Sequence, residues 1–301
     1  MYMYMYKIKT PYVLFMAFIA FNLYSCVPQQ KTISRKQQLA VLDSQLAQHS
    51  KKLKELDTKR QTKKDQNEID DTASARIKKY IGITTAEIDK LVTQNSILIG
   101  NTEVNRDDWN RLKKALLLSR GASKMINYKV NFITDLINRN MVVKLDQDVL
   151  FQPGKYIVTP ELAEAIGKFF EPAAKEIDLF TQKYPDFHLS LVITAKGYAD
   201  GTSIVEGTTL HKDLSDGVKL SGTLPDNKEL NKELSRRRAE EVIQLFKKYT
   251  YGRSTMGGNV KNILFLTEGK GESFPNPKTP DYSINDPRRR VVLLFWSVFP
   301  E

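Results

Sequence analysis

A chain of 301 residues that is 41% hydrophobic and 27% charged has enough apolar side chains for one or two domains with a buried core, which excludes a disordered polymer. Its 46 Lys and Arg residues outnumber 35 Asp and Glu residues, so the formal net charge is +11. This excess favours an anionic partner, and nucleic acid, anionic lipid or an acidic polymer would each fit.

The first 25 residues have the pattern of a secretory signal. Lys7 and Lys9 precede an apolar run at 12–23 that closes in L-Y-S-C, ending at Cys26. As a helix this run would be ~18 Å long, which is too short for a hydrocarbon core of ~30 Å. The stretch resembles a bacterial lipoprotein signal, which implies that Cys26 is lipidated and becomes the first residue of the mature chain.

The surroundings of Cys26 add to this expectation. It is the only cysteine of the chain, so no disulfide can form within the chain. Val27 follows it without an acidic run, and by resemblance to such lipoproteins this implies a periplasm-facing anchor in the outer membrane. A secreted, lipid-anchored chain meets little nucleic acid, so we do not expect nucleic acid as a partner.

Residues 26–71 are predicted to form a lipid-anchored tether. From residue 34 onward this segment is polar, lacks Gly and Pro and alternates the sign of its charges. Five of its leucines follow the 3,4 spacing of a heptad repeat: Leu39, Leu42, Leu46, Leu53 and Leu56. Two interpretations are open, namely a coiled coil through which the protein forms a homo-oligomer and a lone amphipathic spacer helix.

Residues 72–140 are predicted to be a helical spacer that carries no chemistry. Thr84 and Thr85 offer a helix start, and a turn is predicted from Asn105 to Asp108 before a second amphipathic run.

From 141 to 301 strands and helices alternate. Strands are predicted at 142–151, 188–197, 262–269 and 289–299, and the last two are expected at the centre of a sheet because they are almost continuously apolar. One helix is predicted to begin at Pro160 with Thr159 as its cap, and another spans 231–249. The apolar face of the first is formed by Leu162, Ile166, Phe169, Ala173, Ile177 and Phe180.

The predicted fold class is α+β. It consists of a β-α-β-α-β-β two-layer sandwich at the C-terminus, preceded by an α-helical or coiled-coil N-terminal region.

Three consecutive arginines, at 236–238, lie in the second predicted helix. On a helical wheel Arg238 falls in the same apolar sector as Ala239, Val242 and Phe246, whereas Arg237 points to the opposite side, where water can solvate it. A cation aimed at an interior or a pocket rim needs an anion to offset its desolvation.

Five motifs then occur in a fixed order in this region. They are L-F-Q-P-G at 150–154, G-Y-A-D at 197–200, N-K-E-L-S-R-R-R-A at 231–239, G-K-G-E-S-F-P at 269–275 and R-R-R-V at 288–291. With them, residues 141–299 resemble the OmpA C-terminal-like family, which includes peptidoglycan-associated lipoproteins and the periplasmic part of flagellar motor stators.

The resemblance implies that the domain binds peptidoglycan through the diaminopimelate residue of its stem peptide. Asp200 would accept hydrogen bonds from the ligand ammonium, and Arg238 would form a fork with its carboxylate. N–H groups at the start of the same helix would be available to the carboxylate oxygens. The remaining family matches that line or contact the pocket are Asn231, Leu234, Arg289 or Arg290 of the last strand, and the backbone of the turn that ends at Gly154.

Two points stay open at this stage. Without the family context, Asp200 and Arg238 would be read as a plain ion pair that ties a strand end to a helix. Asp200 and Asn231 are also thirty-one positions apart, against about eight in the family, and the extra stretch at 201–227 reads as a surface loop with short strands. This insertion either rims the pocket and alters its specificity or is inert.

An enzyme is not expected, and neither is a cofactor or a resident metal. The three histidines, His49, His188 and His211, lack metal-ligand spacing, and no nucleophile elbow or P-loop occurs in the sequence. The predicted function is non-covalent attachment of the outer membrane to the cell wall. The alternative is a structural scaffold subunit of an envelope machine, such as a motor or secretion complex, whose protein partners bind the helical segment.

Overall fold

The computed structural model describes residues 29–101, 105–139, 141–146, 151, 154–218, 225–251 and 258–301. The predicted signal at 1–25 and the predicted lipidation site at Cys26 lie outside these ranges. None of the helices in the described ranges has the length and continuous apolar character needed to cross a bilayer.

The described ranges form a mixed α+β structure, in agreement with the predicted class. In chain order the elements are α1 Gln29–Asp65, α2 Asp71–Gly100, α3 Arg106–Asn138, β1 Val142–Asp146, α4 Pro160–Lys183, β2 Leu189–Gly197, α5 Thr209–Val218, α6 Asn227–Thr250, β3 Val260–Gly269 and β4 Val291–Pro300. A short 3₁₀ helix, Pro287–Arg289, precedes β4.

The chain divides into two compact units. The first contains the described residues up to Lys54 together with Gly82–Asn131, and the second contains Glu55–Ile81 and Phe132–Glu301. The long helices α1, α2 and α3 therefore each contribute residues to both units.

The secondary structure described in the first unit is helical, and the heptad leucines form part of its core. Leu39, Leu46 and Leu53 have no exposed surface. Leu39 packs against Leu112 and Leu116 of α3. Helices of the same chain thus cover these leucines, so α1 is neither a lone spacer helix nor a helix that exposes this seam to a second chain. Homo-oligomerisation stays a prediction.

The helix starts of this region differ in part from the prediction. Helix α2 continues without a break through Thr84, whose side chain is fully buried, so the predicted start at Thr84–Thr85 is wrong. The predicted turn at Asn105–Asp108 is also wrong over its last three residues, because α3 begins at Arg106. Asn105 lies just before this helix and caps it, since its Oδ1 accepts hydrogen bonds from the backbone N–H groups of Asp107 and Asp108 at 2.9 and 2.8 Å.

The second unit contains a four-stranded mixed sheet with the order β1-β4-β2-β3. Strand β4 runs antiparallel to both β1 and β2, and β2 runs parallel to β3. Strand β4 is central, as predicted, but β3 lies at the edge of the sheet, where Ile263 and Leu264 are 43% and 42% exposed. The prediction of a central β3 is wrong because an apolar run alone does not distinguish a central strand from an edge strand.

Helix α4 begins with Pro160 after Thr159, as predicted, although the Thr159 side chain makes no capping hydrogen bond. Its buried face contains Phe170 rather than the predicted Phe169, which is 41% exposed. The reason is a contact with α6, since the rings of Phe170 and Phe246 pack edge to face at 5.1 Å.

An aromatic cluster joins the end of the helical region to the sheet domain within the second unit. The ring of Phe132 on α3 packs edge-on against Phe180, Tyr184 and Phe187, with centroids 5.0 to 5.1 Å apart. Asn67, in the turn between α1 and α2, donates a hydrogen bond from Nδ2 to the carbonyl oxygen of Pro275 at 2.8 Å. Helical residues before 141 are therefore part of the core and of the loop contacts of this unit.

Candidate ligand-binding site

A cavity of about 380 Å³ opens at the ends of β2 and β4, beside α6. Six of the seven residues that the sequence assigned to a ligand pocket line it: Gly154, Asp200, Asn231, Leu234, Arg238 and Arg290.

The close approach of β2 to α6 determines where Asp200 lies. A Cβ atom at Gly197, the last residue of β2, would lie 1.9 Å from the carbonyl oxygen of Ser235 on α6. Only glycine fits at this distance, because two non-bonded heavy atoms cannot approach so closely. The strand end therefore rests directly on the helix, and Asp200 follows three residues later.

Asp200 is buried and already has partners. Its Oδ2 accepts hydrogen bonds from Arg290 Nε at 2.7 Å and from Thr202 Oγ1 at 2.9 Å. Each carboxylate oxygen can accept two hydrogen bonds, and Oδ1 receives only a longer contact, from the backbone N–H of Thr202 at 3.3 Å. Oδ1 therefore has capacity for a further donor.

Arg238 is 3% exposed, so its charge lies in a poorly solvated place. Its Nε donates to the carbonyl oxygen of Lys155 at 3.0 Å, and its guanidinium lies 5.6 Å from the ring centroid of Phe151. Burial lowers the pKa of Arg238 to about 10; the Asp200 carboxylate opposes this shift, and the Arg290 guanidinium adds to it. A ligand carboxylate at this position would stabilise the charged form.

The start of α6 does not take part in the site as predicted. The helix begins at Asn227, and Asp226 caps it in a reciprocal arrangement with Glu229. Arg238 lies eleven residues further on, about 17 Å along the axis. The N–H groups of the helix start are therefore too far from Arg238 to share a carboxylate with it, which corrects that part of the prediction.

The neighbouring arginines belong to a different arrangement. Arg237 is not simply solvated as predicted, because its guanidinium donates to Glu233 at 2.9 Å, to the hydroxyl of Tyr156 at 3.1 Å and to the carbonyl oxygen of Asp213 at 2.6 Å. Arg236 donates to the same Glu233 carboxylate at 2.7 Å. This ion cluster holds α5 and the segment before α4 onto α6.

Arg289 is the one predicted residue that the described cavity lining does not include. It is buried under the loop before β4, and it donates to the carbonyl oxygens of Ser283 and Ile284 at 3.1 Å each and to that of Glu272. Its role is to fix this loop. Between the two alternatives that the sequence left open, Arg290 is the arginine of the cavity.

Asn231 also connects the cavity to this loop. Its Nδ2 donates to Glu272 Oε1 at 3.0 Å and to the carbonyl oxygen of Thr202 at 3.3 Å. Leu234, one turn further along α6, belongs to an apolar cluster with Leu214 and Leu230.

The inserted segment at 201–227 forms a wall of the cavity, a role that the sequence left undecided. Six of its residues line the cavity: Thr202, Ser203, Ile204, Val205, Thr208 and Leu210. Residues Thr209–Val218 of the segment form the helix α5, in place of the predicted surface loop with short strands. Leu214 of α5 is fully buried against α6.

Signals for α5 were present in the sequence. Leu210 and Leu214 are spaced i, i+4, and Thr208 precedes them as a cap whose Oγ1 accepts from the N–H of His211 at 3.2 Å. The many glycines of the insertion masked this pattern.

The described lining carries three basic side chains, Lys155, Arg238 and Arg290, and one acidic side chain, Asp200. Its remaining surface is partly aliphatic, through residues such as Ile204, Leu210 and Leu234. This combination suits a ligand that bears at least one carboxylate, an ammonium group and a short aliphatic chain. In the described ranges no three His, Cys, Asp or Glu side chains are grouped closely enough to hold a metal ion.

Comparison with known proteins identifies no matching family model and no matching curated protein. Among solved structures, the periplasmic domain of Helicobacter pylori MotB (residues 78-256) is similar over 52% of this chain and 74% of that one, with 19% sequence identity and a TM-score of 0.30. This similarity is weak and carries no functional conclusion.

Proposed function

We propose that this protein binds peptidoglycan non-covalently, through the diaminopimelate residue of the stem peptide, while a lipid on Cys26 anchors it in the outer membrane. It would thereby link the outer membrane to the cell wall. The observation that carries this proposal is the cavity in which Asp200 and Arg238, thirty-eight positions apart in sequence, both take part.

The chemistry of the cavity matches the free end of diaminopimelate, which carries an ammonium and a carboxylate on one carbon atom. The ammonium would donate to Oδ1 of Asp200, since Oδ2 already accepts from Arg290. The carboxylate would accept from the guanidinium of Arg238, with Arg290 as a second nearby cation. The methylene chain would run along the aliphatic part of the lining, and a volume of about 380 Å³ lies within the usual range for small-ligand sites.

The affinity of a single cavity with few charged contacts is expected to be modest. A membrane anchor beside a repeating polymer raises the effective concentration of the ligand, so many weak contacts hold the two layers together.

A pulldown with purified sacculi tests the proposal. The chain from Val27 to Glu301 contains every residue of the described fold and is the form to use. We expect Arg238→Ala and Asp200→Ala to abolish co-sedimentation, whereas the control Lys248→Ala, which changes an exposed cation of the same helix, retains it. Circular dichroism would verify that each variant is folded.

Competition with free amino acids identifies the ligand. Diaminopimelate should release the protein from sacculi, and 1,5-diaminopentane should not, because this diamine has the two ammonium groups without an adjacent carboxylate. If both cavity variants sediment like the parent, or if 1,5-diaminopentane competes as well as diaminopimelate, the assignment of the cavity is wrong.

A further inference from the structure

A groove on the helical unit carries an unusual concentration of positive charge. It has a volume of about 550 Å³ and lies between the start of α1 and the first half of α3. Its polar lining consists of Gln30, Lys31, Ser34, Arg35, Gln38 and Arg120. Three of these side chains are cationic, and none of the described lining residues is acidic.

Further basic and aromatic groups surround this groove. The guanidinium of Arg35 lies 5.0 Å from the ring centroid of Trp109, and the ammonium of Lys113 lies 5.8 Å from the same ring. The nearby acidic residues Asp107 and Asp108 are both in the first turn of α3, where the helix dipole favours them. They reduce the positive potential at that end of α3 and do not line the groove.

The groove is close in sequence to the proposed lipid anchor. Cys26 lies three positions before Gln29, the first residue of α1, and three residue steps span at most ~11 Å. Lys31 and Arg35 lie in the first two turns of the helix. If Cys26 carries acyl chains, the backbone of Lys31 lies within about 14 Å of the anchored residue and that of Arg35 within about 20 Å, which is two to three Debye lengths of ~8 Å at physiological ionic strength.

We infer that this groove, together with the exposed side chains around it, is a docking surface for anionic phospholipid headgroups. Arginine side chains form forked hydrogen bonds with phosphate oxygens, and lysines act as point charges. Leu117, which is 73% exposed, lies three residues before Arg120 on the same side of α3 and supplies an apolar contact for the interface. The membrane surface then orients the helical unit, in addition to the lipid chains that anchor it.

The test uses the chain from Val27 to Glu301, which has no lipid, so that acyl chains make no contribution to binding. Co-sedimentation is measured with vesicles that contain phosphatidylglycerol and with vesicles of phosphatidylcholine alone. We expect binding to the anionic vesicles only, and its loss when the salt concentration rises from about 0.1 M to about 1 M.

A triple variant, Lys31→Gln, Arg35→Gln and Arg120→Gln, removes the groove cations and keeps polar side chains of similar length. Each cation near an anionic surface contributes about fivefold to binding, so we expect a loss of about 100-fold. The matched control, Lys51→Gln, Lys52→Gln and Lys90→Gln, changes the net charge equally. Lys51 and Lys52 lie about 20 Å or more along α1 from Gln38, so this control should bind within a few-fold of the parent.

The inference is overturned if the parent does not bind anionic vesicles, or if the triple variant and its control lose binding equally, which would indicate a response to net charge alone. Because the proximity of groove and membrane rests on the proposed anchor, a second readout separates the two. After a wash with about 1 M salt, which releases the groove contacts, Cys26→Ser in the full chain should move the protein from the membrane fraction to the soluble fraction. The sacculus pulldown of the triple variant should equal that of the parent. If the Cys26→Ser protein stayed in the membrane fraction, this would count against the anchor. If the triple variant lost sacculus binding, this would count against the peptidoglycan site. Neither outcome would change the vesicle result.

Discussion

The cavity has two walls of different origin. The frame wall consists of Asp200, Asn231, Leu234, Arg238 and Arg290, which lie at strand ends and on α6. The inserted wall consists of the lining residues between Thr202 and Leu210. The frame wall carries most of the charge, and the inserted wall carries hydroxyl and aliphatic groups. We therefore expect the frame wall to select a ligand by its charge and the inserted wall to select it by its shape.

The two walls are also held in place differently. The close backbone contact between Gly197 and Ser235 fixes the frame wall, and a change of side-chain rotamer cannot relieve a clash at this contact. Side-chain contacts fix the inserted wall: Leu214 packs against α6, and Arg237 donates to the carbonyl oxygen of Asp213. Substitutions that disturb the frame wall should therefore destabilise the whole fold. Substitutions that disturb the inserted wall should loosen that wall while the fold is retained.

The largest effect is expected for Gly197→Ala. The added methyl group would meet the Ser235 carbonyl oxygen, so strand and helix must separate, and we expect a loss of about 3 kcal/mol in the free energy of unfolding. Urea denaturation measures it. Gly82→Ala in α2 is the matched control, since nothing lies within 4 Å of the added atom; it should raise stability by about 0.5 to 1 kcal/mol. A small loss at Gly197 would contradict the rigid frame.

Leu214→Ala tests the inserted wall. Removing this fully buried side chain should cost about 2 to 3 kcal/mol and loosen α5 while the charged residues stay in place. Sacculus binding should weaken although far-ultraviolet circular dichroism is unchanged. Leu118→Ala, at a position that is 58% exposed, should change stability by less than about 0.5 kcal/mol. Full retention of binding by the folded Leu214→Ala variant would show that the insertion is inert.

Asp200→Asn should cost about 2 kcal/mol, because Arg290, whose side chain is 25% exposed, loses its ion pair at 2.7 Å with a buried carboxylate. The pKa of Arg238 should fall further, since the carboxylate that favours its charged form is gone. A double-mutant cycle with Arg290→Gln isolates the pair, and a coupling energy of about 1 kcal/mol or more is expected. Additive losses would mean that the ion pair does not hold the frame wall.

Glu233→Gln is expected to have the smallest effect. Hydrogen bonding to Arg236, with a further contribution from Arg237, lowers the pKa of Glu233 in the folded state despite the opposing effect of burial. A lowered pKa adds stability above the unfolded value, and this stability is lost as the pH falls through the folded value. The substitution should cost about 1 kcal/mol at neutral pH, since Arg236 is partly exposed to screening water, and less below pH ~4.

Thermal unfolding of the Glu233→Gln variant and of the parent, between pH 7 and pH 3, measures this difference in stability. The exposed residue Glu206 supplies the matched control, Glu206→Gln. A constant difference between the Glu233→Gln variant and the parent at all pH values would exclude the titration of Glu233 as its cause.

The motifs allowed the sequence to place the frame wall, because Asp200, Asn231 and Arg238 each occupy a fixed position within a recognisable pattern. The choice between Arg289 and Arg290 could not be made in the same way. It depends on the 3₁₀ helix, which directs Arg289 under the loop and Arg290 into the cavity. The rotation of adjacent residues around a short helix is set by local backbone contacts that a motif does not contain.

The hydrophobic periodicity of the sequence could not predict two other features of the fold. The spacing of Leu39 and Leu46 correctly indicates a buried seam, but spacing does not state whether the covering helix belongs to the same chain. Similarly, the apolar residues Ile263 and Leu264 of β3 predict a strand and do not reveal its place in the sheet. Both properties depend on long-range packing.

The aromatic cluster around Phe132 determines how this protein can be shortened. A fragment that began at Met141 would lack the ring that Phe180, Tyr184 and Phe187 pack against, and also the amide of Asn67 that holds Pro275. Such a fragment would expose an apolar aromatic surface and would lose a hydrogen bond that holds the loop at Pro275. The second unit is therefore not one continuous segment of the chain, and a shortened protein must keep parts of all three long helices.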